Sequence, residues 1–202
     1  NQMIVALRGQ RHDFLNHVQM IRSLIKMKRY DALEDYLDQF VEVTERVHAV
    51  IRIGHPMIAA LIHAKMAEAE RRNIDFEFDF VPMEHVNLNA LWPDIVKILG
   101  NLIDNAFDEV EKLPVAERVF ECTGNIVGRN LIFTVGNPCA GPVAPERLRM
   151  MFRPGYTTKS GASHEGLGLA IALQRARAHQ GDIEACYSEE EGMVMRVILP
   201  IL

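Results

Sequence analysis

The sequence predicts an α+β chain in two parts, a helical hairpin over residues 1–53 followed by an α/β sandwich over 54–202. Three observations carry that reading. Apolar residues recur at alternating intervals of three and four through the first fifty positions, as in helices. Segments that alternate apolar with polar residues, as strands do, come after that stretch. Between the two regimes stand Gly54, His55 and Pro56, a break followed by a residue suited to the first turn of a new helix.

In the first part, Ile4, Leu7, Phe14, Val18, Ile21 and Ile25 keep a 3-4-3-4 spacing interrupted at Arg11, which predicts a long helix with a narrow apolar seam. Lys28, Arg29 and Tyr30 read as a turn. Leu33, Tyr36, Leu37, Phe40, Val43, Val47 and Val50 then repeat the period in a second, antiparallel helix. A lone hairpin of this size cannot bury both seams, because burial must offset the entropy of ordering the helices. Two copies closing a four-helix bundle are the expected solution, with packing against the rest of the same chain as the alternative.

In the second part, 57–72 reads as a helix, and 74–80 alternates apolar with acidic residues, a strand with one buried face. Residues 93–112 are expected to be helical, and 119–123, 130–135, 183–187 and 193–199 to be strands. A last helix over 167–179 is closed by Gly181. Helices mixed with mostly hairpin-linked strands imply a sandwich with the helices on one face of the sheet.

Composition narrows the chemistry. With 49% hydrophobic and 24% charged residues, the chain has the make-up of an ordinary folded protein. Twenty-two Lys and Arg against 27 Asp and Glu leave a formal charge of −5, so bulk charge draws neither nucleic acid nor an anionic membrane. Cys122, Cys139 and Cys186 are isolated and odd in number, which excludes a disulfide framework or a paired-cysteine zinc site and fits a reducing compartment such as the cytoplasm. No run approaches the roughly 20 apolar residues that span a bilayer. The opening residues, Asn1 to Ile4, have neither a signal-peptide layout nor an initiating Met, as expected of a piece of a longer protein.

Three motifs carry chemistry, each weak alone. His12 lies one residue past the Arg11 break, so its imidazole is expected at the edge of the bundle, within reach of solvent and of a second protein. Neutral imidazole, with an ordinary pKa of about 6.5, can attack a phosphoryl group. Asp13 could hold the proton on the other ring nitrogen, provided both side chains lean toward each other. Asn16, four residues on, shares the His12 face, whereas His17, five residues on, cannot share a metal with His12. Further along, Asn101, Asn105 and Asp108 fall on one stripe of a helix whose Leu102 and Ile103 point to the core, and such a stripe needs a polar ligand or water. Finally, Gly166 and Gly168 open a helix whose N-terminal amides favour anions, after a small polar stretch that contains Lys159, a candidate phosphate contact.

In this order and spacing, over nearly the whole chain, the motifs resemble the catalytic core of bacterial sensor histidine kinases. The resemblance is greatest to the branch holding the citrate and C4-dicarboxylate sensors and the sporulation phosphotransferase. It implies a dimeric four-helix bundle followed by an ATP-binding α/β sandwich of the Bergerat type. It further implies ATP-dependent autophosphorylation of His12, aided by Asp13, and transfer to an aspartate on the receiver domain of a response regulator. Asn16 would orient water for dephosphorylating that partner, giving phosphatase activity. Asn105 would coordinate Mg²⁺, whose preference is for oxygen ligands. Asn101 stands where related ATPases carry a water-activating glutamate, a task an amide cannot perform. Asp108, Gly141, Lys159, Gly166, Leu167, Gly168 and Leu169 complete the implied nucleotide site, with Phe152 as a tether for its lid. The piece itself would be the cytoplasmic portion of an inner-membrane sensor, without direct membrane contact and without a nucleic-acid partner.

One motif departs from the family pattern. Relatives read Asp-x-Gly-x-Gly where this chain has Asn137, Pro138, Cys139, Ala140 and Gly141. The resemblance places Asn137 at the adenine amino group. An amide accepts more weakly than a carboxylate and, if flipped, donates to the carbonyl of guanine, so weak ATP binding and poor discrimination against GTP are expected. The departure leaves an alternative open, a phosphorelay phosphotransferase without ATP-dependent activity. A plain ATPase or assembly module with an incidental His12 is a third.

Overall fold

The computed structural model describes residues 16–86, 88, 91–156 and 166–201, and for 38–45 and 47 the backbone alone. His12, Asp13 and Lys159 lie outside the described residues. Two compact units divide between His48 and Ala49.

The first unit is the expected hairpin. Helix α1 covers 16–26, Lys28 turns the chain at φ 53°, and α2 runs Tyr30–Arg52. His17 Nδ1 and the Tyr36 hydroxyl lie 2.7 Å apart across the hairpin, which gives His17 a packing role between the two helices. Three seam residues, Val18, Ile25 and Leu37, are 42%, 49% and 40% exposed, so among the described residues part of the apolar seam is uncovered.

The second unit layers three helices on one face of a five-stranded sheet of order β1-β2-β3-β5-β4. Helix α3 (Pro56–Arg71) leads into β1 (Asp75–Phe80), which crosses through α4 (Trp92–Val110) to a parallel β2 (Val119–Val127). The remaining pairs are antiparallel: β2 with β3 (Asn130–Asn137), β3 with β5 (Gly192–Pro200), and β5 with β4 (Asp182–Ser188). Between β3 and β4 come α5 (Pro145–Met150) and α6 (Gly168–Ala178).

Period-two burial builds this sandwich. Leu131, Phe133, Val135 and Asn137 of β3 point to the helices, while Ile132, Thr134 and Gly136 take the other face. Helix α4 is the keystone, with nine buried residues from Trp92 to Val110. Its Phe107 meets Phe120 of β2 edge-on at 5.1 Å, and Phe120 in turn meets Phe76 of β1 at 4.8 Å.

The predicted elements are all present in the second unit, with two differences. Strand β2 runs on past 123 to a two-residue turn at Gly128 and Arg129, and β3 runs on past 135 to Asn137 at its other end, because cross-strand pairing continues where the apolar alternation has stopped. Helix α5 and a 3-10 turn at Val115–Glu117 were not expected. For α5 a signal exists: proline in the first turn, Glu146 beside it, and Arg147 and Arg149 at the end, matching the helix dipole.

Candidate functional site

The polar side of α4 divides into two stripes, a division the sequence period does not reveal. One faces α3. Lys65 of α3 is paired with Asp104, and it also donates to Glu68 at 2.6 Å. One turn on, the Arg72 guanidinium reaches Asp108 at 3.1 Å, Glu111 at 3.4 Å and Glu68 at 2.7 Å. Burial alone would lower the Lys65 ammonium, but Asp104 and Glu68 outweigh it and hold the pKa above the usual lysine range. Asp108 therefore clasps α4 to α3, which separates it from the two asparagines with which the sequence groups it.

The second stripe carries Asn101, Asn105 and Glu109. Asn101 and Asn105 are half-buried, and among the described residues neither side chain has a hydrogen-bond partner. Glu109, one turn beyond Asn105, accepts from Arg147 of α5 at 3.1 Å and from Lys112 at 2.8 Å. That cluster was not foreseen, since Arg147 belongs to the unexpected helix.

Gly168 brings the start of α6 to this stripe. A Cβ there would sit 3.6 Å from Asn101 Oδ1, so two motifs far apart in sequence meet in space. Gly166 closes the base of the intervening segment in a different way. It adopts φ 63°, and an added Cβ would lie 2.6 Å from the Tyr156 carbonyl oxygen and 2.9 Å from the Gly155 carbonyl carbon. No side chain fits there. Leu167 is exposed beside it, whereas Leu169 anchors α6 in the core and Phe152 packs half-buried against that core. At its far end α6 is tied back to α4: Arg175 and His179 both bond Asp94, His179 Nε2 at 2.8 Å. The hydrogen bond from His179, then that from Arg175, hold the Asp94 carboxyl below the usual aspartate range.

The end of β3 forms a further wall. Asn137 is 2% exposed, the one buried polar side chain among the described residues. Its Nδ2 donates to the Pro138 carbonyl at 2.8 Å, and its buried Oδ1 has no partner. This bond opposes the expected amide flip, which would set oxygen against oxygen. Cys139 Sγ lies 4.0 Å from the same nitrogen, and burial raises its thiol pKa, with Glu109, Arg147 and Lys112 as nearby charges. Gly141 is exposed, with open space around its Cα.

Among the described residues no three His, Cys, Asp or Glu side chains gather as metal ligands. A cation beside Asn105 would take the amide oxygen plus oxygens of an anionic ligand, a set that suits a hard cation. The unpartnered amides, and a glycine start to α6 that leaves room at its first amides, fit a polyanion.

Comparison with known proteins gives this arrangement its class. Residues 92–202 match the histidine kinase-, DNA gyrase B- and HSP90-like ATPases, and the chain belongs to that family. Residues 1–53 match the α-helical domain of the SpoOB-type sensor kinases. Among individual proteins, the chain is 28% identical over 201 residues to the sensor protein CitS of Bacillus subtilis, covering 96% of this chain and 35% of that protein. It is also 28% identical over 189 residues to the sensor histidine kinase DcuS of Escherichia coli K12, covering 88% and 32%. The chain thus spans about a third of the length of these relatives. The catalytic domain of the histidine kinase ThkA shares the fold, with a TM-score of 0.56 at 22% identity over 72% of this chain and 90% of that one.

Proposed function

We infer that this chain is the catalytic core of a dimeric sensor histidine kinase, with a phosphoacceptor hairpin over 1–53 and an ATP-binding domain over 54–202. The observation that carries the reading is the meeting of Asn101 with Gly168 beside a second unpartnered amide, Asn105. The unprotonated ring nitrogen of His12 attacks the γ-phosphorus of ATP. An N–P bond forms, the P–O bond to the β-phosphate breaks, and ADP leaves with that electron pair. Asp13 holds the proton on the other ring nitrogen. The phosphoryl group then passes to a carboxylate oxygen of an aspartate on a response-regulator receiver domain, and Asn16 positions water for its later removal. Asn105 would hold Mg²⁺ through its amide oxygen, and the ion, when bound, would supply charge neutralisation for the triphosphate. The uncovered seam residues Val18, Ile25 and Leu37 support dimerisation. The relatives are named as sensors and this chain spans about a third of their length, which supports a sensor region elsewhere in the whole protein, and we place this piece on the cytoplasmic side.

Incubation with γ-labelled ATP and Mg²⁺, followed by acid and base treatment, tests the reading. Phosphohistidine is acid-labile and base-stable, so label with those properties supports it. A chain that accepts phosphate from a phosphorylated regulator but never from ATP would instead be a phosphotransferase, and turnover without any phosphoprotein would make it a plain ATPase.

A further inference from the structure

The sheet has a second face, on which no helix of the second unit packs. Its outward positions carry Asp75, Glu77 and Asp79 on β1, Glu121 on β2, and Asp182 and Glu184 on β4, all exposed. Arg196 of β5 is the one cation at these positions. Six carboxylates against one guanidinium leave five negative charges, equal to the formal charge of all 202 residues, so the rest of the chain sums to zero. Asp182 is offset by Arg177 of α6 at 3.1 Å, but the other five acids keep the face negative, and like charges across adjacent strands, such as Glu77 opposite Glu121, cost stability.

The charge is arranged in flanks. Acids stand on β1 and β2 to one side and on β4 to the other, while the central strands β3 and β5 carry a stripe without acids, interrupted by Arg196 opposite Thr134. There Ile132 faces Ile198 across the strands, Gly136 faces Val194, and all are half-buried. A groove of about 360 Å³ runs from Glu121 and Thr123 of β2 across Thr134 and Gly136 of β3 to Val194 and Arg196 of β5, with Glu191 at its rim, so an acid stands at each side of it. Strands β2 and β4 lie three spacings apart, about 14 Å, slightly more than the 10–12 Å diameter of an α-helix.

We propose that this face docks a basic amphipathic helix of a partner protein, its apolar stripe on β3 and β5 and its lysines or arginines reaching the acidic flanks. Arg196 lines the groove and stands opposite Glu184 in the strand register. A second copy of this face would be repelled by the same charge, as would nucleic acid or an anionic membrane.

The test uses the full chain and a fluorescent helical peptide of about 18 residues, the length of this face, with a leucine stripe flanked by lysines. Binding is read by anisotropy. Glu121→Lys with Glu184→Lys should weaken it on the order of tenfold, and raising the salt should weaken it further. The same charge change elsewhere, Glu34→Lys with Glu70→Lys, should leave the affinity within about twofold. Ile132→Asp separates docking from bulk attraction, because it adds an acid to the face yet breaks the stripe, and it should weaken binding. The proposal is overturned if the wild-type chain does not bind the peptide, if both lysine pairs act alike, or if Ile132→Asp tightens binding.

Discussion

Replacing Asn137 with aspartate restores the residue type of the relatives, yet this structure makes it a costly change. Nδ2 donates to the Pro138 carbonyl at 2.8 Å inside a site that leaves the residue 2% exposed. An ionised carboxylate would replace that bond with two facing oxygens, a loss of about 1–3 kcal/mol. Burying its charge adds several kcal/mol more, so the total is on the order of 4 kcal/mol. For a unit the size of Ala49–Leu202, that corresponds to a fall in Tm of about 8–16 °C. The protonated acid avoids most of this, because its O–H can donate to the same carbonyl. Burial raises the folded pKa of the introduced acid above its unfolded value of about 3.9, so the folded variant binds the extra proton. Its stability relative to the wild type therefore falls as pH rises from about 4 through the folded pKa and is level above it. Thermal melts of both proteins at about pH 4.5, 6 and 8 read the difference directly. A Tm gap that is the same at all three, or below about 2 °C at the highest, would refute the reasoning.

The remaining predictions concern the site and its supports. His12→Gln should abolish acid-labile labelling from ATP while nucleotide titration stays normal; persisting acid-labile label would move the acceptor to another residue. Asn105→Ala should remove Mg²⁺-dependent labelling but keep acceptance of phosphate from a phosphorylated regulator, and normal autophosphorylation would sink the metal assignment. Gly166→Ala places a Cβ 2.6 Å from the Tyr156 carbonyl oxygen at φ 63°, for a cost of about 1–3 kcal/mol and weaker ATP binding. An unchanged Tm together with unchanged ATP affinity would count against it. Asp94→Asn should lower the Tm by a few degrees at neutral pH, from loss of about 1–2 kcal/mol. Asp94 is depressed in the fold, so its contribution is present above a pH of about 4 and is lost as pH falls through the folded value. The wild-type and variant melts should therefore converge in acid, and a gap that persists there would exclude the carboxylate as its source.

Periodicity and turn chemistry were enough to place the hairpin, the helices that became α3, α4 and α6, and all five strands, because each buries one face and so writes its period into the chain. They could not show α5, where six residues are too few for a period to register, although Pro145 was there to be read. The same local rules put Asn101, Asn105 and Asp108 on one stripe, which helix geometry alone supports. Which neighbour each side chain meets is a matter of the tertiary structure: Arg72 comes from α3 to take Asp108, and Gly168 comes from α6 to lie against Asn101. Likewise the sequence names Asn137 as the departure from its relatives, but the partner of its amide, and hence the lock against flipping, depends on the turn after β3. Charge shows the division again. Composition determines the −5, whereas the strand order that brings six carboxylates onto one sheet face joins β1, β2 and β4 through contacts remote in sequence, which no local pattern encodes.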